Sequence, residues 1–144
     1  ATKKFYIKTS YNQNTLFAMV KNNDFDKFWA TELKLREKYN FPPYSQIILI
    51  EHRDINQDNA QKTLELYYEK IKKTLEKNQL TDRFILTAIT PNIHEKINNL
   101  YYWSFKIKMK LEKPLIVTRA DIKIRNQILK LLPNDFYIDV DPIS

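Results

Sequence analysis

Two acidic residues two apart, Asp139 and Asp141, close the stretch YIDVDPIS at the end of the sequence. On a strand that spacing puts both side chains on one face. Paired carboxylates there could bind a metal ion or share general acid–base work. Such chemistry needs companions, and the sequence offers few. Neither His52 nor His94 has a neighbour at metal-ligand spacing. The run HEKIN from His94 is not the HExxH zinc motif, because its fifth residue is Asn98. No serine sits in a nucleophile elbow, and there is no cysteine. Phe136, Ile138 and Val140 alternate with polar neighbours, so the aspartates read as the wet edge of a last strand that Pro142 ends.

Composition narrows the chemistry further. None of the 144 residues is glycine. Phosphate-cradling loops and dinucleotide fingerprints need glycine to bring backbone close to phosphate, which argues against a self-sufficient nucleotide-binding enzyme. The absence of cysteine leaves no disulfide framework and no cysteine-ligated zinc, as expected of a cytosolic protein. No apolar run approaches the roughly 20 residues of a membrane-spanning helix, and no charged-then-apolar leader opens the chain. Hydrophobic residues make up 43% and aromatics 13%, enough for the packed core of one domain with a small appendage. The net charge of +7, from 24 Lys and Arg against 17 Asp and Glu, favours a polyanionic partner such as nucleic acid.

These residues need elements to position them. KKFYIKT (3–9) alternates like a short strand, and NQNTLFAMVKN after it reads as a short helix. A second helix places Phe25, Phe28, Trp29 and Leu33 at helical spacing behind a cap at Asn23 or Asp24. FPPY (41–44) should stop it, since proline lacks the donor and disfavours helical geometry before it. From residue 45 the pattern becomes regular. SQIILIEH (45–52) is apolar on both faces, and residues 57–78 form a helix with Ala60, Leu64, Tyr67, Tyr68, Ile71 and Leu75 on one side. RFILTAI (83–89) and YYWSFKIKMKL (101–111) are strands. TRADIKIRNQILKLL (118–132) is a helix capped by Thr118 with Asp121 in its first turn, and DFYIDV (135–140) is the last strand. The order βαββαβ predicts an α+β plait, with two helices on one face of a sheet.

In such a plait the other face is open, and residues 101–111 show what it would carry. Tyr101, Trp103, Phe105, Ile107, Met109 and Leu111 share one side; Tyr102, Ser104, Lys106, Lys108 and Lys110 share the other. Lysines two apart on a strand lie roughly 6.5–7 Å from one another. Three in line could track a nucleic-acid backbone while Tyr102 stacks on a base. The same pattern would serve as a solvated face that discourages edge pairing.

Several of these stretches together resemble the C-terminal end of the PriA family of bacterial replication-restart DNA helicases (primosomal protein N′). They are FYIKT, DFDKFWATELKLREKYNFPPY, YYWSFKIKMK and the terminal IDVDP. The family's aromatic helix is matched by Asp24 or Asp26 with Phe25 and Phe28, then Glu32 and Arg36. Its YPPF is matched by Phe41–Tyr44, and its closing DVDP by Asp139–Pro142. Thr90–Pro91 stands where the family tends to have Gly-Pro, and Tyr102 stands within its common Tyr-Arg-Trp. Lys106 and its neighbours could take over the missing arginine's phosphate contact.

The resemblance implies that residues 1–44 are the end of the second helicase lobe with a connecting helix. Residues 45–144 would then be a C-terminal domain with the ferredoxin-like plait of ribosomal protein S10. ATP-binding motifs and the cysteine-rich zinc module lie upstream in the family, so this part implies no catalysis and no cofactor of its own. The implied role is to help bind forked or single-stranded DNA and the acidic, Phe-ending tail of single-stranded-DNA-binding protein. Arg119 and Lys123, at the start of the last helix, would hold that tail's carboxylates. The stripe around Phe28 and Trp29 would pack partly on the rest of the helicase, and no membrane contact is implied. Two other readings compete. One is a freestanding RNA-binding plait, which has no use for residues 1–44; the other is an enzyme with a metal at Asp139 and Asp141.

Overall fold

The computed structural model of the chain describes residues 4, 6, 8, 10, 15–92 and 96–142, without the side chain of Leu16. The strand expected over residues 3–9 falls largely outside them, and so does His94. The chain divides into two compact units, Ala1–Leu35 and Arg36–Ser144, and FPPY falls in the second. The first holds helix α1 (Thr15–Lys21) and most of α2 (Phe25–Lys38). Asp24 begins α2, its carbonyl accepting the N–H of Phe28 at 3.0 Å. Phe28 and Trp29 meet edge to face with centroids 5.7 Å apart. No residue of α2 is buried, and Trp29 is 58% exposed.

A chain without glycine must still end its helices, and three of the four described ones close with an amide residue in the left-handed region. Asn23, Asn40 and Gln79 take left-handed φ values of 54°, 52° and 55° just past the ends of α1, α2 and α3 (Gln57–Lys77). Each is followed by a residue whose N–H reaches back five positions: Asp24 to Met19, Phe41 to Arg36, and Leu80 to Leu75. This is the Schellman closure, which satisfies carbonyls the helix leaves orphaned. Helix α2 therefore ends at Lys38 and is closed by Asn40, before the prolines act. Asparagine serves because its short polar side chain tolerates the left-handed region better than most residues.

The second unit is built on two long strands. β1 (Ser45–Asp54) and β4 (Tyr101–Lys110) pair antiparallel from Ser45↔Lys110 to Asp54↔Tyr101. With β2 (Phe84–Leu86) and β5 (Tyr137–Val140) outside them, the order is β2-β4-β1-β5, all neighbours antiparallel. The register sets Ile48 against Ile107 and Ile50 against Phe105 on one face. These residues bury with Met109, Phe84, Leu64, Ile71 and Leu75 of α3, and Ile128 of α4 (Arg119–Leu129). Both helices thus serve one core on one side of the sheet. His52 lies in that layer as well, stacked on Phe136 at 4.7 Å, which removes it from the candidate ligands.

The strand expected over 83–89 is broken in two, with β3 (Thr90–Pro91) also paired to β4. Leu86 faces Ile107 and Thr90 faces Ser104, so three residues on one side oppose two on the other. That is a bulge. Thr87 sustains it: its N–H donates to the Lys106 carbonyl and its hydroxyl accepts the Lys106 N–H, both at 2.9 Å.

The caps behave as their residue types dictate. The Asn56 side chain accepts the N–H groups of Asp58 and Asn59 to start α3. Thr118 and Asp121 form a complete capping box on α4. Asp121 does more, because it is wholly buried. It accepts from the Thr118 N–H at 2.8 Å, the Glu112 N–H at 3.2 Å and the guanidinium of Arg83. Arg83 in turn donates through Nε to the Lys110 carbonyl at 3.2 Å, tying β4 to the head of α4.

Candidate nucleic-acid interface

Side-chain alternation along β4 sends Phe105, Ile107 and Met109 into the core and leaves the intervening residues on the opposite face. Tyr102, Ser104, Lys106, Lys108 and Lys110 therefore share the open face, as their spacing predicts. They are not equivalent. Lys106 is exposed, whereas Tyr102, Lys108 and Lys110 are half-buried. The Lys108 ammonium lies 4.0 Å from the ring centroid of Phe41, which the FPPY stretch lays beside β4. Across the ladder, β1 contributes Arg53 opposite Tyr102, Glu51 opposite Ser104, Leu49 opposite Lys106 and Ile47 opposite Lys108. The face thus pairs a basic, partly aromatic column with a mixed one. Arg53 and Phe41 belong to this candidate face although the sequence did not single them out. Cross-strand register selects Arg53, and the chain's return after α2 selects Phe41; neither is a local pattern.

Electrostatics on this face are not uniformly positive. Burial pushes the Glu51 carboxyl above its usual range, and the charge of Arg53 only partly offsets that. Asp139 faces Leu49 on β5, so it also lies on the open side. Asp141 has a different fate. It sits past the end of β5 with φ of 54°, and its carboxylate accepts the Ile47 N–H at 2.9 Å and the Gln46 amide at 3.1 Å. Gln46 is held in turn by Arg125 at 2.9 Å. Asp141 is thus a clasp on β1, and the opening pair splits between two jobs. Among the described residues no three His, Asp or Glu side chains gather where they could hold a metal.

Arg119 and Lys123 are both exposed on α4, one turn apart on neighbouring positions of its surface. Ahead of them Leu115, Ile116 and Val117 stand exposed, with Leu115 at φ of 69°. A left-handed leucine is a strained choice, held here by the turn in which the Ile116 N–H meets the Lys113 carbonyl at 3.3 Å.

The likeness to known proteins runs through both the open face and α4. Replication restart protein PriA of Borreliella burgdorferi is 29% identical over 125 residues, 85% of this chain. The PriA of Synechocystis is 27% identical over 144 residues, 96% of the chain. A 41-residue stretch is 42% identical to the PriA of Rickettsia conorii. The chain is similar to PriA proteins along most of its length. It spans only 16–17% of the length of the Borreliella and Synechocystis PriA proteins. No protein-family model matches it. Among the described residues no helix is long and apolar enough to cross a membrane.

Proposed function

We propose that this chain is the C-terminal part of a PriA-type replication-restart DNA helicase, acting in the cytoplasm as a non-catalytic binding module. What carries the proposal is similarity to PriA proteins along 85–96% of the chain. Its second unit is then a ferredoxin-like, S10-like plait, a reading supported by the strand order β2-β4-β1-β5 and by two helices sharing one core. The open face binds forked or single-stranded DNA, with Lys106, Lys108 and Lys110 meeting phosphates and Tyr102 a base. Binding of such DNA by the chain, weakening as salt is raised, is the expected result. Salt-independent binding, or none, would remove this part of the proposal.

The head of α4 takes the acidic tail of single-stranded-DNA-binding protein. Arg119 and Lys123 supply cations, the helix N-terminus favours carboxylates, and exposed Leu115 and Ile116 offer apolar surface to a terminal Phe. In the full-length helicase Arg119→Ala should weaken the tail peptide by about 1.5–3 kcal/mol, the worth of a charge-assisted contact. ATP hydrolysis without the peptide should be unchanged. Titrating the peptide into both variants checks this, and equal affinities would move the anchor elsewhere.

ATP and zinc belong to upstream parts of such a parent. The isolated chain should therefore hydrolyse no ATP, with or without DNA. A phosphate-release assay on the purified chain would overturn this by showing DNA-stimulated turnover.

A further inference from the structure

At the end of the open face, where β5 begins beside the last residues of β1, lies a cavity of about 550 Å³. It is lined by Glu51, Arg53, Asn134, Asp135, Phe136 and Tyr137. We propose that this cavity holds one unpaired nucleobase with an amino group where thymine and guanine carry a carbonyl, cytosine or adenine, from a single strand lying across the sheet. The inference rests on the single-strand reading above and deepens it by naming which base and where.

Three observations converge. Tyr137 faces Glu51 across the ladder and is 56% exposed, so its ring is free to stack. Arg53, opposite Tyr102, is an exposed cation within reach of the phosphate joining a base on Tyr137 to the next one toward Tyr102. Between them the chemistry turns from donor to acceptor: Glu51, Asp135 and the Asn134 carbonyl are what an amino group seeks and what a phosphate avoids. Glu51 is half-buried, so its hydrogen bond to a ligand would form away from bulk water and count for more. Carboxylates that accept from an exocyclic amine read cytosine in this way in other nucleic-acid complexes. Thymine presents a carbonyl at the same place and would face Glu51 oxygen to oxygen. A strand leaving the cavity along β4 would meet Lys106 next, then Lys108 and Lys110. The acidic lining is therefore suited to the base and the lysine column to the backbone, a division a uniformly basic groove would lack. Phe136 closes the floor from the core side, where it is stacked on His52.

The test is amide chemical-shift mapping of the whole chain with hexamers of deoxycytidine and of thymidine. The cytidine hexamer should bind on the order of tenfold more tightly. Its largest shifts should fall at Glu51, Arg53 and residues 134–137. Tyr137→Ala should weaken both hexamers roughly tenfold, the worth of one stacked base. Glu51→Ala should erase the preference, because the cytidine hexamer loses its acceptor and the thymidine hexamer its repulsion. Equal affinities, with shifts confined to Lys106–Lys110, would overturn the base cavity and leave the DNA face standing. Failure of both hexamers to bind would sink the base cavity and the DNA face together. Shifts in the cavity from an arginine-rich peptide but not from DNA would make it a protein-docking pocket, and the inference would fall.

Discussion

Asp121→Ala is expected to destabilise the second unit by about 3 kcal/mol. Asp121 is completely buried, and three kinds of donor converge on it: backbone N–H groups of Thr118 and Glu112, the Thr118 hydroxyl, and the Arg83 guanidinium. Removing the carboxylate strands the two N–H groups and the facing guanidinium nitrogen at once, while the Thr118 hydroxyl can still donate to Glu112. Arg83 keeps 24% of its side-chain surface in solvent, which holds the cost to the lower end for a broken buried pair. Loss of the capping box at α4 is part of the same figure. Urea unfolding of the chain and the variant measures the difference. A cost under about 1 kcal/mol would show that the clasp between β4 and α4 is dispensable.

The same residue gives the acid response a sign. Burial alone would push the Asp121 carboxyl up. The hydrogen bonds from Thr118 and Glu112, with the Arg83 charge, outweigh it and hold the group below the usual carboxylate range. A carboxylate depressed on folding adds stability that is fully present above its unfolded value. That stability drains away as pH falls through the lower folded value. Wild type should therefore lose its advantage over Asp121→Asn as pH drops below about 4. A gap that stayed constant from neutral to acid pH would contradict the assignment.

Replacing Lys106, Lys108 and Lys110 together with alanine is expected to weaken DNA binding and flatten its salt dependence. Each phosphate neutralised contributes a slope of about 0.7–0.9 in log K against log salt, so three contacts amount to roughly 2–3. The structure ranks them. Lys106 is exposed and should contribute a full contact, while Lys108 must leave the ring of Phe41 to meet a phosphate. Lys106→Ala alone should accordingly lower the slope by about one phosphate's worth, and Lys108→Ala by less. Anisotropy titrations of a fork and a single strand at several salt concentrations separate these cases. An unchanged slope for the triple variant would return the column to a solvated face.

Much of this protein was legible in local pattern. Strict alternation from Tyr101 to Lys110 named both faces of β4, because a strand's period of two leaves no freedom once one side is buried. Spacing of Leu64, Ile71 and Leu75 named the buried side of α3, and Thr118 with Asp121 announced the box that starts α4. Local pattern also set Asp139 on a polar strand face. Its limits appear wherever a partner comes from far along the chain. Asp141 looked like the twin of Asp139, yet a left-handed turn spends it on Ile47 and Gln46, more than ninety positions away. One extra residue between Leu86 and Thr90 bulges the strand expected over 83–89, and only the register with β4 exposes the miscount. Helix α2 ends at Lys38 and left-handed Asn40 closes it before its prolines, because a Schellman closure depends on backbone geometry more than on proline. Asp121 read as a cap and proved to be a buried ion-pair partner, since nothing near it in sequence foretells Arg83. Periodicity is set by each residue's own backbone and side chain, so the sequence carries it directly. Which cation meets which ring or carboxylate depends on strand order and register, and those exist only once the sheet has closed on its core.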